Sequence, residues 1–138
     1  MKFAVITSRF AEKAGSALEN LNKTCEQRLN ELEIEFQKFE VPGTFEIPTM
    51  AKKILAGGDF DGVICLGVVV RGETSHFDFV AGNCARKIAD LGAEFAQAII
   101  FGVLTTETTE QAEARSIRGS EFAQAAFDLA NELAKIRA

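Results

Sequence analysis

The chain has 138 residues, a formal net charge of -5, one histidine, three cysteines and twelve phenylalanines, without tryptophan or tyrosine. That length suits a single domain over residues 1–138, which buries roughly two thirds of its unfolded surface; at 47% hydrophobic and 25% charged, the chain is neither disordered nor fibrous. The acidic balance argues against nucleic acid as the main partner, and one His with three scattered Cys, none in a Cys-x-x-Cys pair, leaves no common structural zinc site.

Residues 3–7 form a first apolar run, cut by Ser8-Arg9 too soon for a secretory segment. Ala14, Leu18, Leu21, Cys25, Leu29 and Leu32 then recur at helical steps. Ile34, Phe36, Phe39 and Val41 read as a strand ended by Pro42-Gly43, and Pro48 lies early in a short helix running to about Leu55 and closed by Gly57-Gly58. Asp61-Gly62 leads into the apolar run Val63–Val70. Phe77, Val80, Ala81, Cys84, Ile88, Leu91 and Phe95 make the next helix, Ala98–Leu104 the next strand, and Phe122, Ala126, Leu129, Leu133 and Ile136 a last helical region in one or two pieces.

Near-continuous apolar strands are those of a sheet covered on both faces. Their alternation with helices predicts right-handed crossovers and an α/β, three-layer α-β-α fold with a four-stranded parallel sheet. Cys25, Cys65 and Cys84 sit inside apolar patterns and read as buried reduced thiols of a cytoplasmic protein. No apolar stretch approaches the ~20 residues of a membrane helix, so neither membrane nor metal is expected.

In such sheets ligands bind beyond the carboxyl ends of the strands. That rule selects Ser8–Ala11, Val41–Glu46, Arg71–His76 and Thr105–Thr108. After Val70, Gly72 allows close backbone approach, Thr74 and Ser75 can cap the helix starting near His76, and free N–H groups with a hydroxyl form an anion site suited to phosphate. The lone His76 there can take or give a proton, or be a plain surface residue. Thr44 can cap the following helix, and Glu46 can accept hydrogen bonds from a polyol or simply complement a helix dipole. Phe10 can stack on a planar ring or belong to the core. Hydroxyls followed by acids after Leu104 make a capping box for the helix carrying Arg115. Arg115 can fork a phosphate or be a solvated charge. No Gly-x-Gly-x-x-Gly or Walker-type loop follows a strand.

At these four places the chain resembles the 6,7-dimethyl-8-ribityllumazine synthase family. The segments that carry the resemblance are Ser8-Arg9-Phe10, Val41 through Pro48, Gly67 through Val80 with Arg71-Gly72-Glu73-Thr74-Ser75-His76-Phe77-Asp78, and Phe101 through Ala112. They occur in order, from Lys2 to near the C-terminus, without a large insertion. The resemblance implies a four-stranded parallel sheet in flavodoxin-like order. It implies a cofactor-independent transferase that condenses 5-amino-6-(D-ribitylamino)uracil with 3,4-dihydroxy-2-butanone 4-phosphate. Phosphate and water leave, and 6,7-dimethyl-8-ribityllumazine forms, the penultimate step of riboflavin biosynthesis. It implies homopentamers with active sites between subunits.

By the same resemblance Phe10 stacks on the pyrimidine, Thr44, Phe45 and Glu46 hold the ribityl chain, and Val68, Val69 and Val70 line the pyrimidine slot. Gly72, Glu73, Thr74 and Arg115 take the phosphate, His76 shuttles protons, and Phe101 of a neighbouring subunit closes the pocket. Three departures stand out. Ala11 replaces a common Asn, Glu107 replaces a common Asp, and the connection Arg115-Ser116-Ile117-Arg118-Gly119 is short, with Arg118 where family members carry a lysine. Arg118 keeps the charge but not the shape of an ammonium. The short connection and the start of the chain almost at its first strand lead to an expectation of pentamers, alone or paired as decamers, rather than a sixty-subunit shell. A non-catalytic lumazine- or flavin-binding scaffold is the alternative reading.

Overall fold

A computed structural model describes residues 1–136. Its elements are β1 (Lys2–Ser8), α1 (Ala17–Glu31), β2 (Glu35–Val41), a 3-10 turn (Thr44–Glu46) running into α2 (Ile47–Gly57), β3 (Gly62–Val70), α3 (His76–Phe95), β4 (Ala98–Thr106), α4 (Thr109–Arg115), a second 3-10 turn (Ser116–Arg118) and α5 (Gly119–Ala134). The four strands are parallel in the order β2-β1-β3-β4. The expected three-layer α/β fold is therefore present.

Strand alternation divides the core in two. Phe3 and Val5 of β1 and Ile64 and Leu66 of β3 face α1 and α5, meeting Leu21, Leu29, Ala123 and Ala126. Ala4 and Ile6, with Val63 and Cys65, face α2 and α3, meeting Ile47, Ala51, Leu55, Cys84 and Ile88. Because both faces of β1 and β3 are covered, both sets are apolar, and a continuous run replaces the usual period of two. β2 is an edge strand, and of its seven residues only Val41 is fully buried.

Several local readings change. Lys13 and Gly15 both have φ near +57, so α1 starts at Ala17 and Ala14 packs on the core from the preceding loop. Ile136 lies beyond the end of α5 and is exposed. The box that caps α4 pairs Thr108 with Gln111 rather than with an acid. Thr44 does not cap α2; it is buried in the 3-10 turn that leads into it.

All three cysteines are buried free thiols. Burial pushes the Cys25 thiol up to about 12 and that of Cys84 to about 11, with Glu26 adding to the first, and burial raises Cys65 further still. In the unfolded chain these groups ionise near 9.0. Their contribution to stability is thus complete below that pH and is lost as pH climbs through the folded values. We expect the denaturant midpoint to fall between about pH 9 and pH 11, in step with the gain of thiol labelling. A flat midpoint across that window, or fast labelling of the folded protein at neutral pH, would contradict this account.

Candidate active site

The chain leaves β1 toward β2 on one side of the sheet and leaves β3 toward β4 on the other. The switch point therefore lies at the carboxyl ends of β1 and β3, where open parallel sheets hold ligands. A cleft of about 700 Å³ opens there. Its walls come from the loop after β1, the turn after β2, the end of β3 and the first turns of α3. Within it the structure gathers Phe10, Thr44, Phe45, Glu46, Val68, Val69, Val70, Gly72, Glu73, Thr74 and His76. Three of the four strand ends singled out in the sequence thus meet in one place.

Phe10 is 67% exposed on the cleft wall, which removes its reading as a core phenylalanine. Its N–H is anchored to the Pro42 carbonyl at 3.0 Å, and that of Arg9 to the Val41 carbonyl at 2.7 Å. Both bonds prolong the β1–β2 ladder and fix where the ring emerges. Phe45 is likewise exposed, beside Glu46. Gly67 is what lets Thr44 reach the sheet, since a Cβ there would stand 2.8 Å from Thr44 Oγ1 and 3.4 Å from Ser8 Oγ. The Ser8 hydroxyl is buried, and among the described residues it has no hydrogen-bond partner.

At the start of α3, Thr74 Oγ1 accepts a hydrogen bond from the His76 N–H at 3.3 Å, whereas the Ser75 side chain caps nothing. Gly72, Glu73, Thr74 and His76 are all exposed to the cleft. In the first turn of this twenty-residue helix the His76, Asp78 and Phe79 N–H groups are taken by Thr74 Oγ1 and the Ser75 carbonyl, so free donors come from the loop ahead of it, where the Gly72, Glu73 and Thr74 N–H groups have no partner among the described residues. Arg71 holds that turn. Its Nη2 is 3.2 Å from Asp78 Oδ1, its Nε is 2.9 Å from Glu107 Oε2, and its guanidinium lies 4.4 Å over the Phe77 ring. The hydrogen bonds to Asp78, then to Glu107, raise the Arg71 pKa above the ordinary arginine value. Exposed pairs of this kind add little stability. What they do is tie the helix that carries His76 to the end of β4, ahead of the helix that carries Arg115.

Phe101, Arg115 and Arg118 do not line this cleft. Phe101 is on β4, at the far edge of the sheet, and faces a separate groove of about 390 Å³ between α3 and α5. That groove is lined by Ile88, Ala89, Gly92, Leu129 and Leu133 among others and carries no titratable side chain. Arg115 and Arg118 are exposed, and Arg115 Nη1 bonds the Gln111 carbonyl of its own helix at 3.2 Å. Conversely, the cleft holds Glu12, Lys13, Phe77 and Val80, which the strand-end rule missed. Glu12 and Lys13 lie one and two residues past the segment the rule selected.

Among the described residues no three His, Cys, Asp or Glu side chains come together as a metal site, and no helix is long and apolar enough to cross a membrane. The fold matches the crystal structure of oxidised flavodoxin 2 from Bacillus cereus with a TM-score of 0.51 at 13% identity, over 93% of this chain and 99% of that one. That likeness speaks to architecture alone. The family model described as 6,7-dimethyl-8-ribityllumazine synthase matches residues 1–134. A 6,7-dimethyl-8-ribityllumazine synthase of Thermococcus kodakarensis is 39% identical over 141 residues, spanning 99% of this chain and 89% of the relative. One of Chloroherpeton thalassium is also 39% identical, over 94% of this chain and 87% of its own length. A family match over residues 1–134, which contain all four strand-end segments, together with two relatives at 39% identity, places the chain in the 6,7-dimethyl-8-ribityllumazine synthase family.

Proposed function

We propose that the cleft at the switch point condenses 5-amino-6-(D-ribitylamino)uracil with 3,4-dihydroxy-2-butanone 4-phosphate. The products are 6,7-dimethyl-8-ribityllumazine, phosphate and two molecules of water, in the penultimate step of riboflavin biosynthesis. One observation carries the reading: an aromatic platform, a polyol acceptor, a helix start and the only imidazole of the chain share a single cleft. Phe10 stacks on the pyrimidine, whose other boundary is Val68–Val70. Thr44, Phe45 and Glu46 take the ribityl chain, with the Glu46 carboxylate accepting its hydroxyls. Gly72, Glu73 and Thr74 present donors to the phosphate at the positive end of α3.

His76 follows Thr74 by two residues and lines the same cleft. It takes the proton released as the amine adds to the ketone carbonyl, and it returns one to the departing hydroxyl as the imine forms. It can then take the proton lost as phosphate is eliminated. Holding two substrates side by side supplies much of the acceleration. His76→Ala is therefore expected to slow turnover by about 10²-fold without abolishing it.

The remaining residues complete the site across a subunit boundary. Phe101 of a neighbouring subunit closes the pocket, Arg115 joins the phosphate side, and Arg118 brings a positive charge near the pyrimidine carbonyl. The apolar groove beside Phe101 suits a face that packs on another copy. The assembly is a homopentamer, alone or paired as a decamer, working in the cytoplasm. The test is the two-substrate reaction followed spectroscopically on purified protein. Appearance of the lumazine chromophore supports the reading; protein that binds both substrates and releases no product overturns it.

A further inference from the structure

The cleft walls carry three acids, Glu12, Glu46 and Glu73, and a single lysine or arginine, Lys13. A phosphorylated substrate entering this cleft meets a field that is negative but for that ammonium. Lys13 is exposed, and among the described residues it forms no ion pair. Its backbone is unusual for a side chain of this kind, with φ at +58, a region that residues other than glycine, asparagine and aspartate seldom adopt.

That conformation is held from outside the loop. Thr109 Oγ1, at the start of α4, donates to the Lys13 carbonyl at 2.6 Å. Glu113 of the same helix accepts from the Ser16 N–H at 3.2 Å and from its hydroxyl at 3.0 Å. Glu33 and Ala96, the other non-glycine residues with positive φ, follow the ends of α1 and α3, whereas Lys13 alone of the three lines the cleft and is clamped by a distant helix. Outliers that the surroundings over-determine cluster where a side chain must be aimed.

We propose that Lys13 is a binding residue for the phosphorylated four-carbon substrate, its ammonium being the positive charge that one protomer's cleft supplies to the phosphate. This rests on the function proposed above and adds a residue to it. The ammonium acts as a point charge, complementing the N–H donors just ahead of α3.

The experiment compares wild type with Lys13→Asn, which removes the charge while tolerating a positive φ. Lys13→Gly is a second neutral variant that adopts the same backbone freely. Both should raise KM for the phosphorylated ketone about tenfold and leave KM for the pyrimidine unchanged. Inorganic phosphate should inhibit both correspondingly less well, with a shallower dependence on ionic strength. Lys13→Arg should stay within about threefold of wild type. Unchanged KM in both neutral variants, or equal rises for both substrates, would overturn the proposal. Wild type without turnover would instead overturn the proposed reaction. In that event, equal affinity of wild type and Lys13→Asn for inorganic phosphate, measured by calorimetry, would overturn the role of Lys13 separately.

Discussion

Gly119→Ala is expected to destabilise the fold by about 3 kcal/mol or more, the upper range for overpacking a closed site. Gly119 opens α5, fully buried against the middle of α1. A methyl group there would stand 2.2 Å from the Leu21 carbonyl, 2.2 Å from Thr24 Oγ1 and 2.7 Å from the Cys25 nitrogen. Two of those three atoms are backbone and cannot rotate away. The third is held between the Leu21 and Ser116 carbonyls, at 3.2 and 3.1 Å. Relief requires α5 to move off α1, which opens the packing of Ala123 and Ala126 on the sheet. Gly82→Ala is the internal control. Gly82 is in the interior of α3, and a Cβ there meets nothing within 4 Å. The same substitution should add roughly 0.5–1 kcal/mol at that site, because alanine is the better helix former. Denaturant midpoints measured at one protein concentration decide between them. Equal shifts at the two positions would mean that α1 and α5 do not touch as described.

The contrast also shows why much of the fold was legible and some of the site was not. Strands covered on both faces must be apolar at nearly every position, so Val63–Val70 and Ala98–Leu104 announce themselves. The rule about carboxyl ends then places a ligand beside them. Periodicity has no sense of backbone handedness, however. It counted Ala14 into α1 because Ala14 is buried, although the residues on either side of it have positive φ. The same blindness hid Lys13, whose place in the cleft depends on a hydrogen bond from Thr109, 96 residues away. Arg71 was legible as part of a motif with Asp78 seven residues on, but its grip on Glu107, 36 residues away, depends on β3 and β4 lying side by side. Thr44 looked like a cap in the local sequence and is instead drawn onto the sheet by the missing side chain at Gly67. Each of these is a long-range contact, which no local pattern encodes.

Phe101 raises a different issue, because it sits with the groove on the β4 side while the cleft opens at the β1–β3 switch point. If the neighbouring subunit supplies it, two defective proteins should rescue each other. One variant carries Phe10→Glu with Glu46→Ala, which removes the proposed ring platform and the proposed ribityl acceptor from its cleft. The other carries Phe101→Glu, which spoils the part lent to the neighbour. Each alone should show almost no turnover, since every site in its ring has one damaged half. Unfolded together in equal amounts and refolded, they form mixed rings. In a ring closed by heterologous contacts, each site joins one subunit's cleft to the next subunit's Phe101. Random assembly then makes about a quarter of the sites intact on both sides, and turnover should return to that fraction of wild type. A cleft completed by its own Phe101 would give a mixture as inactive as its parts, because every subunit carries one defect. Recovery that tracks the mixing ratio, greatest at equal proportions and vanishing at either end, is therefore a signature of shared sites that a merely structural role for Phe101 would not produce.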